Sequence, residues 1–329
     1  MLKQLLPYLF ASLLLISSCQ QDTDPTPTAD ETCRINDTQS ITLNPNGSID
    51  TTTSKYEYNS QGLLIKIHST YSAGSIAVTT YTYNSEGFLT EQKTVTEGKN
   101  ESLEVITYTY AEGKLSRFNT VFESASSQYT NEYSYNTDGQ LLRFVWKGKN
   151  VFTDGSTSSY RDSVLSQYTN GKLTSSIQYR ETDSFPVKID KYTFETDEQG
   201  LVISRSSGDG NKDIYHYNAD GELVRREHHY NNQLRSYSVY EYDTKKNIQN
   251  ILTPTPKGHP ASLYGGNIHN ITKDIRYDST FPDNTLEEDL SNVYEYEYND
   301  QGYPTKKVWK YTLNGQTTLF TTTYNITCQ

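Results

Sequence analysis

The chain has 329 residues, of which only 33% are hydrophobic, and it carries 29 tyrosines, one methionine and a formal net charge of −11. That acidity excludes nucleic acid and anionic membrane surfaces as partners, and the sparse Leu and Ile exclude a dense aliphatic core. Tyr must supply the buried area, with its hydroxyl left free to stay wet.

Residues 1–18 read as a lipoprotein signal peptide. Lys3 is the charged start, and Leu13-Leu14-Leu15-Ile16 ends an apolar run too short to span a bilayer. Leu15-Ile16-Ser17-Ser18-Cys19 resembles a lipobox, so processing is expected to leave Cys19 as the lipid-bearing first residue. Several acyl chains give lasting attachment without a spanning segment. Residues 19–34 follow as a tether, extended by Pro25 and Pro27. Bacterial lipoproteins retained in the inner membrane carry Asp after the lipidated Cys. Gln20 stands there instead, which by resemblance directs this chain to the outer membrane. Asp22 and Asp24 resemble the acidic surface-export signals of gut-type Gram-negative lipoproteins. The expected location is the outer membrane, lipid-anchored, facing periplasm or cell surface.

Residues 35–329 form a single β-repeat domain organised by one phrase, Tyr-x-Tyr-Asn-x-x-Gly-x-Leu. Clear copies stand at Tyr56–Leu64, Tyr81–Leu89, Tyr133–Leu141, Tyr215–Leu223 and Tyr296–Pro304. Worn ones stand at Tyr108–Leu115, Gln167–Leu173, Tyr192–Leu201 and Tyr240–Ile248. In a strand, residues two apart share a face, so both Tyr rings point one way. Asn then opens a type I turn and Gly supplies the positive φ of the following bulge. Each phrase is therefore a hairpin tip. Gly62, Gly87, Gly113 and Gly139 recur every 25 or 26 residues, a period that needs a second turn because strands seldom exceed about ten residues. Such turns are present at Ser72–Ser75, Glu97–Asn100, Ser207–Asn211, Asn231-Asn232 and Asn314-Gly315. The fold class that follows is all-β, a long antiparallel up-and-down meander of about 18–20 strands. In Glu104–Tyr110, Glu104, Ile106, Tyr108 and Tyr110 share one face and Val105, Thr107 and Thr109 the other, which suits a sheet wetted on one side.

The rhythm breaks at an insertion, residues 251–292. Pro254, Pro256, Gly258, Pro260, Gly265 and Gly266 make it mostly irregular, and Asp283–Leu290 reads as an acidic loop. A barrel of eighteen strands is about 36 Å wide, too wide for side chains to fill. Ile251, Leu252, Leu263, Tyr264, Ile268 and Ile271 therefore suit a segment packed inward as a plug or cap.

The phrase resembles the YD (Rhs-type) repeats that build β-shells around toxins. The mature chain as a whole resembles bacterial lipoproteins grouped as a domain of unknown function with a porin-like fold. The lipobox, the Tyr-Asn-x-x-Gly series, the late Pro/Gly insertion and the closing Tyr-Glu-Tyr-Asn-Asp-Gln-Gly-Tyr-Pro-Thr-Lys carry that resemblance. It implies a curled meander or barrel and no activity. A membrane-spanning barrel needs an outward apolar band, which a mean hydropathy of −0.76 does not supply. The expectation is a soluble, porin-like barrel held at the membrane by its lipid.

No catalytic signature or cofactor fingerprint is present, so no catalytic residue, metal or cofactor is assigned. His228 and His229 are neighbours on a strand and point to opposite faces. His259 and His269, with Asp274 near, could converge on a metal, although solvated loop histidines are the simpler reading. Asp209-Gly210-Asn211-Lys212-Asp213 faintly resembles a calcium loop, with an ordinary turn as the simpler reading. Trp146, Trp309 and the tyrosines could stack on sugars or on one another as cross-strand ladders. Once Cys19 is lipidated, Cys33 and Cys328 remain and are expected to pair in an oxidising compartment. Pairing places their Cα atoms within about 7 Å, which a flat sheet of this many strands cannot do. A disulfide therefore predicts a chain curled until its ends meet. The functional expectation is a non-enzymatic binding or scaffolding protein on the outer membrane, with a glycan or envelope protein as partner. The alternative is a glycan-binding or glycan-processing lipoprotein whose site is the insertion.

Overall fold

A computed structural model describes residues 33–98, 101–122, 127–151, 155–182, 185–252, 268–280, 285–313 and 315–328. The signal peptide, Cys19 and the tether up to residue 32 lie outside the described residues. The first ten strands are β1 (Cys33–Leu43), β2 (Ile49–Tyr58), β3 (Leu64–Tyr71), β4 (Ile76–Tyr83), β5 (Leu89–Glu97), β6 (Ser102–Ala111), β7 (Lys114–Phe122), β8 (Ser127–Tyr135), β9 (Leu141–Val151) and β10 (Thr157–Thr169). The second ten are β11 (Lys172–Thr182), β12 (Phe185–Thr196), β13 (Val202–Ser207), β14 (Asn211–Tyr217), β15 (Leu223–Tyr230), β16 (Gln233–Tyr242), β17 (Ile271–Thr280), β18 (Thr285–Tyr298), β19 (Pro304–Leu313) and β20 (Gln316–Cys328). One short helix, α1 (Gln249–Leu252), stands between β16 and β17.

Each strand pairs antiparallel with the next, and β20 pairs with β1. The result is a closed barrel of twenty strands. Nine phrases account for eighteen of them, and β1 and β20 are the other two. All nine phrase positions fall at one end of the barrel, called here the turn rim. In each intact copy the Asn side chain holds the loop. Asn136 Oδ1 accepts from the backbone N–H of Asp138 at 3.1 Å and of Gln140 at 2.9 Å, and Gly139 takes φ of 83°. A bulge follows, and the second Tyr then faces the Leu position, as Tyr58 faces Leu64 and Tyr135 faces Leu141.

The seam completes this pattern. Ile326 faces Ile35 just as Tyr faces Leu, and Cys33 faces Cys328 two residues beyond. The two cysteines form a disulfide with Cα atoms 4.0 Å apart across a sequence separation of 295. The expected pairing is present, and it occupies the place of a tenth turn.

The Tyr-bearing face lines the inside. Most of its Leu positions are among the deepest described residues: Ile35, Leu89, Leu115, Leu141, Leu173 and Val202 are at most 2% exposed. Each is roofed by Tyr rings, as Leu115 and Leu141 are by Tyr133, Tyr110 and Tyr135. In most phrases the second Tyr also donates its hydroxyl to the carbonyl at the Leu position of the phrase before. Tyr83 reaches Leu64 at 2.8 Å, Tyr110 reaches Leu89 at 2.8 Å, Tyr135 reaches Leu115 at 2.9 Å and Tyr217 reaches Val202 at 2.8 Å. Tyr58 closes the ring on Ile35 at 3.0 Å. These carbonyls sit at the bulges, where the ladder leaves acceptors unused. Burial pushes the hydroxyls of Tyr83, Tyr110 and Tyr135 up to about 12, so they stay protonated donors.

The outer face is charged. At the level of the tyrosines, Glu57 pairs with Lys66 at 3.3 Å, Glu132 with Lys147 at 2.9 Å, Glu241 with Lys273 at 3.0 Å and Glu297 with Lys306 at 2.7 Å. No helix among the described residues is long and apolar enough to cross a membrane.

Three sequence readings change. Within 251–292, residues 271–280 and 285–298 are regular strands, and the supposed acidic loop Asp283–Leu290 supplies the start of β18. A charged strand is stable here because its outward side chains remain in water, as the exposed Glu288 does opposite Tyr277. Residues 243–270 link β16 to β17 in place of the eighth turn: Tyr242 faces Ile271, so Ile271 and not Ile248 takes the Leu position. The sixth copy is displaced by two residues, with Thr196 facing Val202.

Candidate functional site

The residue just before each Leu position reaches over to the next phrase. Arg34 lies over the Tyr58 ring at 5.6 Å and Lys114 over Tyr135 at 5.4 Å. Phe88 packs on Tyr110 with ring centroids 4.8 Å apart. Gln140 donates to the Gly171 carbonyl at 2.7 Å and Lys172 to the Asp197 carbonyl at 2.6 Å. Turns present carbonyls to this side, so Lys and Gln are the clasps that fit.

At the seventh phrase the neighbour is the insertion, which presents donors instead, and the clasp is a carboxylate. Glu222, with its side chain 1% exposed, accepts from His269 N–H at 2.8 Å and Asn218 Nδ2 at 3.0 Å. Its Oε2 lies 3.1 Å from His269 Nδ1. Burial alone would push this carboxyl up, yet the hydrogen bonds from Asn218 and His269 outweigh it and hold it below the usual range. Beyond the clasp, Asn270 Nδ2 donates to Asp243 at 3.1 Å and to the Lys246 carbonyl at 2.9 Å, and Lys246 lies 4.6 Å over Tyr303 of the ninth turn.

Asp220, Glu222 and His269 offer one ligand atom each within 4.8 Å and are the group among the described residues that could hold a metal ion. Both Glu222 oxygens are already engaged by protein donors. His269 thus sits on Glu222, not beside Asp274, and His259 lies outside the described residues. Because a depressed carboxylate stabilises the fold above its unfolded value and loses that contribution as pH falls through the folded one, acid should release this clasp. Glu222→Gln is expected to lower stability at pH 7 and to flatten the loss of stability below about pH 4.5. Urea titrations at pH 3 to 7 check both.

Ile248, Ile251 and Leu252 also enter the barrel mouth. Ile248 is 2% exposed and packs with Ile35 and Tyr324, flanked by Ile251, Leu252 and Tyr56. Ile251 and Leu252 therefore pack inward as expected, whereas Ile268 is 53% exposed. Leu263 and Tyr264 lie outside the described residues.

Deeper in, the wall is sorted by chemistry. On β13–β15, Asp213 is 3% exposed and ringed by Arg205 at 2.5 Å, His228 at 3.1 Å and Arg226 at 3.5 Å. Burial raises its carboxyl, but Arg226, Arg205 and His228 overcome that and leave it lowered. Asp209 instead closes its own turn through Ser207 and the Asn211 N–H, so the two acids do not share a cation. His229 points outward to Glu227 at 2.9 Å, on the face opposite His228.

Trp146 on β9 and Trp309 on β19 stand ten strands apart in a ring of twenty. Trp309 stacks on Phe320 with centroids 4.3 Å apart and donates Nε1–H to Asn292 at 2.8 Å. Asn292 in turn donates to Asp274 at 3.3 Å, whose carboxyl burial holds above its usual range. Trp146 meets Tyr160 edge-on at 4.8 Å. Gly148 makes room there, since a Cβ would lie 2.5 Å from the Tyr160 hydroxyl and 2.8 Å from Tyr129. Both tryptophans are thus members of cross-strand ladders. Asp213 stands out in the sequence only as the end of a calcium-like stretch, and Glu222 and Asn292 do not stand out, although a Glu where other phrases carry Leu, Phe, Gln or Lys is a visible signal.

No protein-family model and no curated protein matches the chain. Among solved structures, a porin-like protein from Bacteroides uniformis aligns with 89% of this chain and 96% of its own, at 16% identity and a TM-score of 0.36. A porin-like protein from Bacteroides vulgatus aligns with 89% of this chain and 98% of its own, at 12% identity and a TM-score of 0.36. The TcdB2-TccC3-TEV structure aligns with 83% of this chain, at 11% identity and a TM-score of 0.33, and the match spans 16% of its own length.

Proposed function

We propose that this is a lipid-anchored binding or scaffolding protein of the outer membrane, whose barrel stands in water beside the bilayer. The observation that carries this reading is the outer face. Lys66, Lys147, Lys273 and Lys306 all point outward beside their glutamates, and an outward Lys at a bilayer midplane costs about 2–4 kcal/mol. Such a wall belongs in water, and a lipid supplies the attachment that the wall does not. The cysteines support the anchor as well. Of three in the chain, two close the seam, which leaves Cys19 in the lipobox for the acyl chains. Replacing Cys19 with Ala is expected to move the protein from the membrane to the soluble fraction, where it stays monodisperse without detergent. Retention of Cys19→Ala in the membrane would contradict the anchor, and a need for detergent would contradict the water-facing wall.

A further inference from the structure

We infer that the barrel stands with its turn rim toward the lipid surface, so that the mouth framed by the opposite hairpins is the one open to ligands and partners. The inference rests on lipidation of Cys19 and adds the direction in which the barrel points. Cys33 is the first residue of β1 and lies at the turn rim, since β1 runs antiparallel to β2 and the β1–β2 tip at 44–48 is at the far end. It cannot peel away from that rim. The disulfide fixes it to Cys328, and the paired residues Cys33 to Leu43 fix it to β20.

Only fourteen peptide steps separate Cys19 from Cys33. Fully extended they span at most about 50 Å. The eleven residues of β1 reach about 37 Å along the strand, or about 28 Å of barrel height at a tilt near 40°. For the far rim to face the lipid, the tether would have to run back along the whole wall. That would use more than half its fully extended reach. The attachment point also has company. The Glu222–His269 clasp, the Asn270 network and α1 all gather at the turn rim. The mouth that carries the insertion is thus the membrane-side mouth. The far mouth is framed by short hairpins such as Tyr71–Ser75 and leads to the Ser, Thr and aromatic side chains of the inner wall.

The test uses the full lipidated chain on phosphatidylcholine vesicles containing an acceptor dye on the lipid headgroup. Donor dyes are placed through an unnatural residue at four exposed positions. Gln301 and Gln199 lie on the turn rim, and Ala73 and Glu181 lie on the far hairpins. Energy transfer from positions 301 and 199 should exceed that from 73 and 181 about twofold or more, given the separation of the rims. Using both pairs distinguishes standing from lying down. Equal transfer from all four positions, or a reversed order, with protein that still floats with the vesicles, overturns the orientation and leaves the anchor intact. Protein that does not float overturns the anchor and the orientation with it.

Discussion

Replacing both Cys33 and Cys328 with serine is expected to lower the melting temperature by roughly 10 °C and to leave the barrel shut. The bond closes a loop with a sequence separation of 295, for which the chain-entropy treatment gives about 5 kcal/mol, lost mainly through a freer unfolded state. At about 2 °C per kcal/mol for a chain of this size, that is the shift stated. The folded state loses little else. Tyr324 still faces Thr38 and Phe320 still faces Thr42 along the seam. Thermal melts of the two forms check the size of the effect. Urea curves check its origin, because an unfolded state freed of its cross-link exposes more surface and raises the slope. An equal melting temperature would mean that the bond constrains nothing the seam does not already hold.

The second large effect lies at the Leu positions. Leu115 and Leu141 are 0% and 1% exposed and are covered by the same Tyr rings. Cutting either to Ala is expected to cost about 3–5 kcal/mol, the upper range for a buried Leu, because rings tied by their hydroxyls to the neighbouring carbonyls cannot collapse into the space. Removing only a hydroxyl, as in Tyr135→Phe, should cost about 1 kcal/mol. The contrast, read from denaturation curves of the variants, separates packing from the hydrogen-bond ring. Similar losses for Leu115→Ala and Tyr135→Phe would assign the rim to hydrogen bonding instead.

Much of the barrel was legible because its unit is local. Tyr two residues from Tyr, then Asn and Gly at fixed offsets, encode a face, a turn and a bulge within nine residues, and nine copies lead directly to the strand count. The seam was legible from compartment chemistry, because two leftover cysteines at the ends admit few geometries. Contacts set by register were not legible. Nothing within one phrase says that Tyr135 donates to Leu115, twenty residues back. Likewise, Glu222 finds His269 only because the eighth turn is replaced by 243–270. Strand β17 and the first half of β18 were not legible, because 251–292 carries prolines, glycines and acids and no phrase glycine. That composition marks a loop unless one face of the strand is known to be wet. For the tryptophans, the choice between a ladder and a ligand platform depends on Phe320 and Tyr160, whose register no single phrase encodes.

Closure is the property from which the rim, the seam and the orientation all follow, and backbone hydrogen exchange in the Cys33→Ser/Cys328→Ser protein tests it most directly. With the covalent link gone, only the ladder between β1 and β20 can protect their facing amides. If the barrel is closed, amides of Thr38 to Leu43 and Leu319 to Tyr324 that face across the seam should exchange as slowly as those between β4 and β5. Rapid exchange confined to those two strands, the signature of two free sheet edges, would contradict the account.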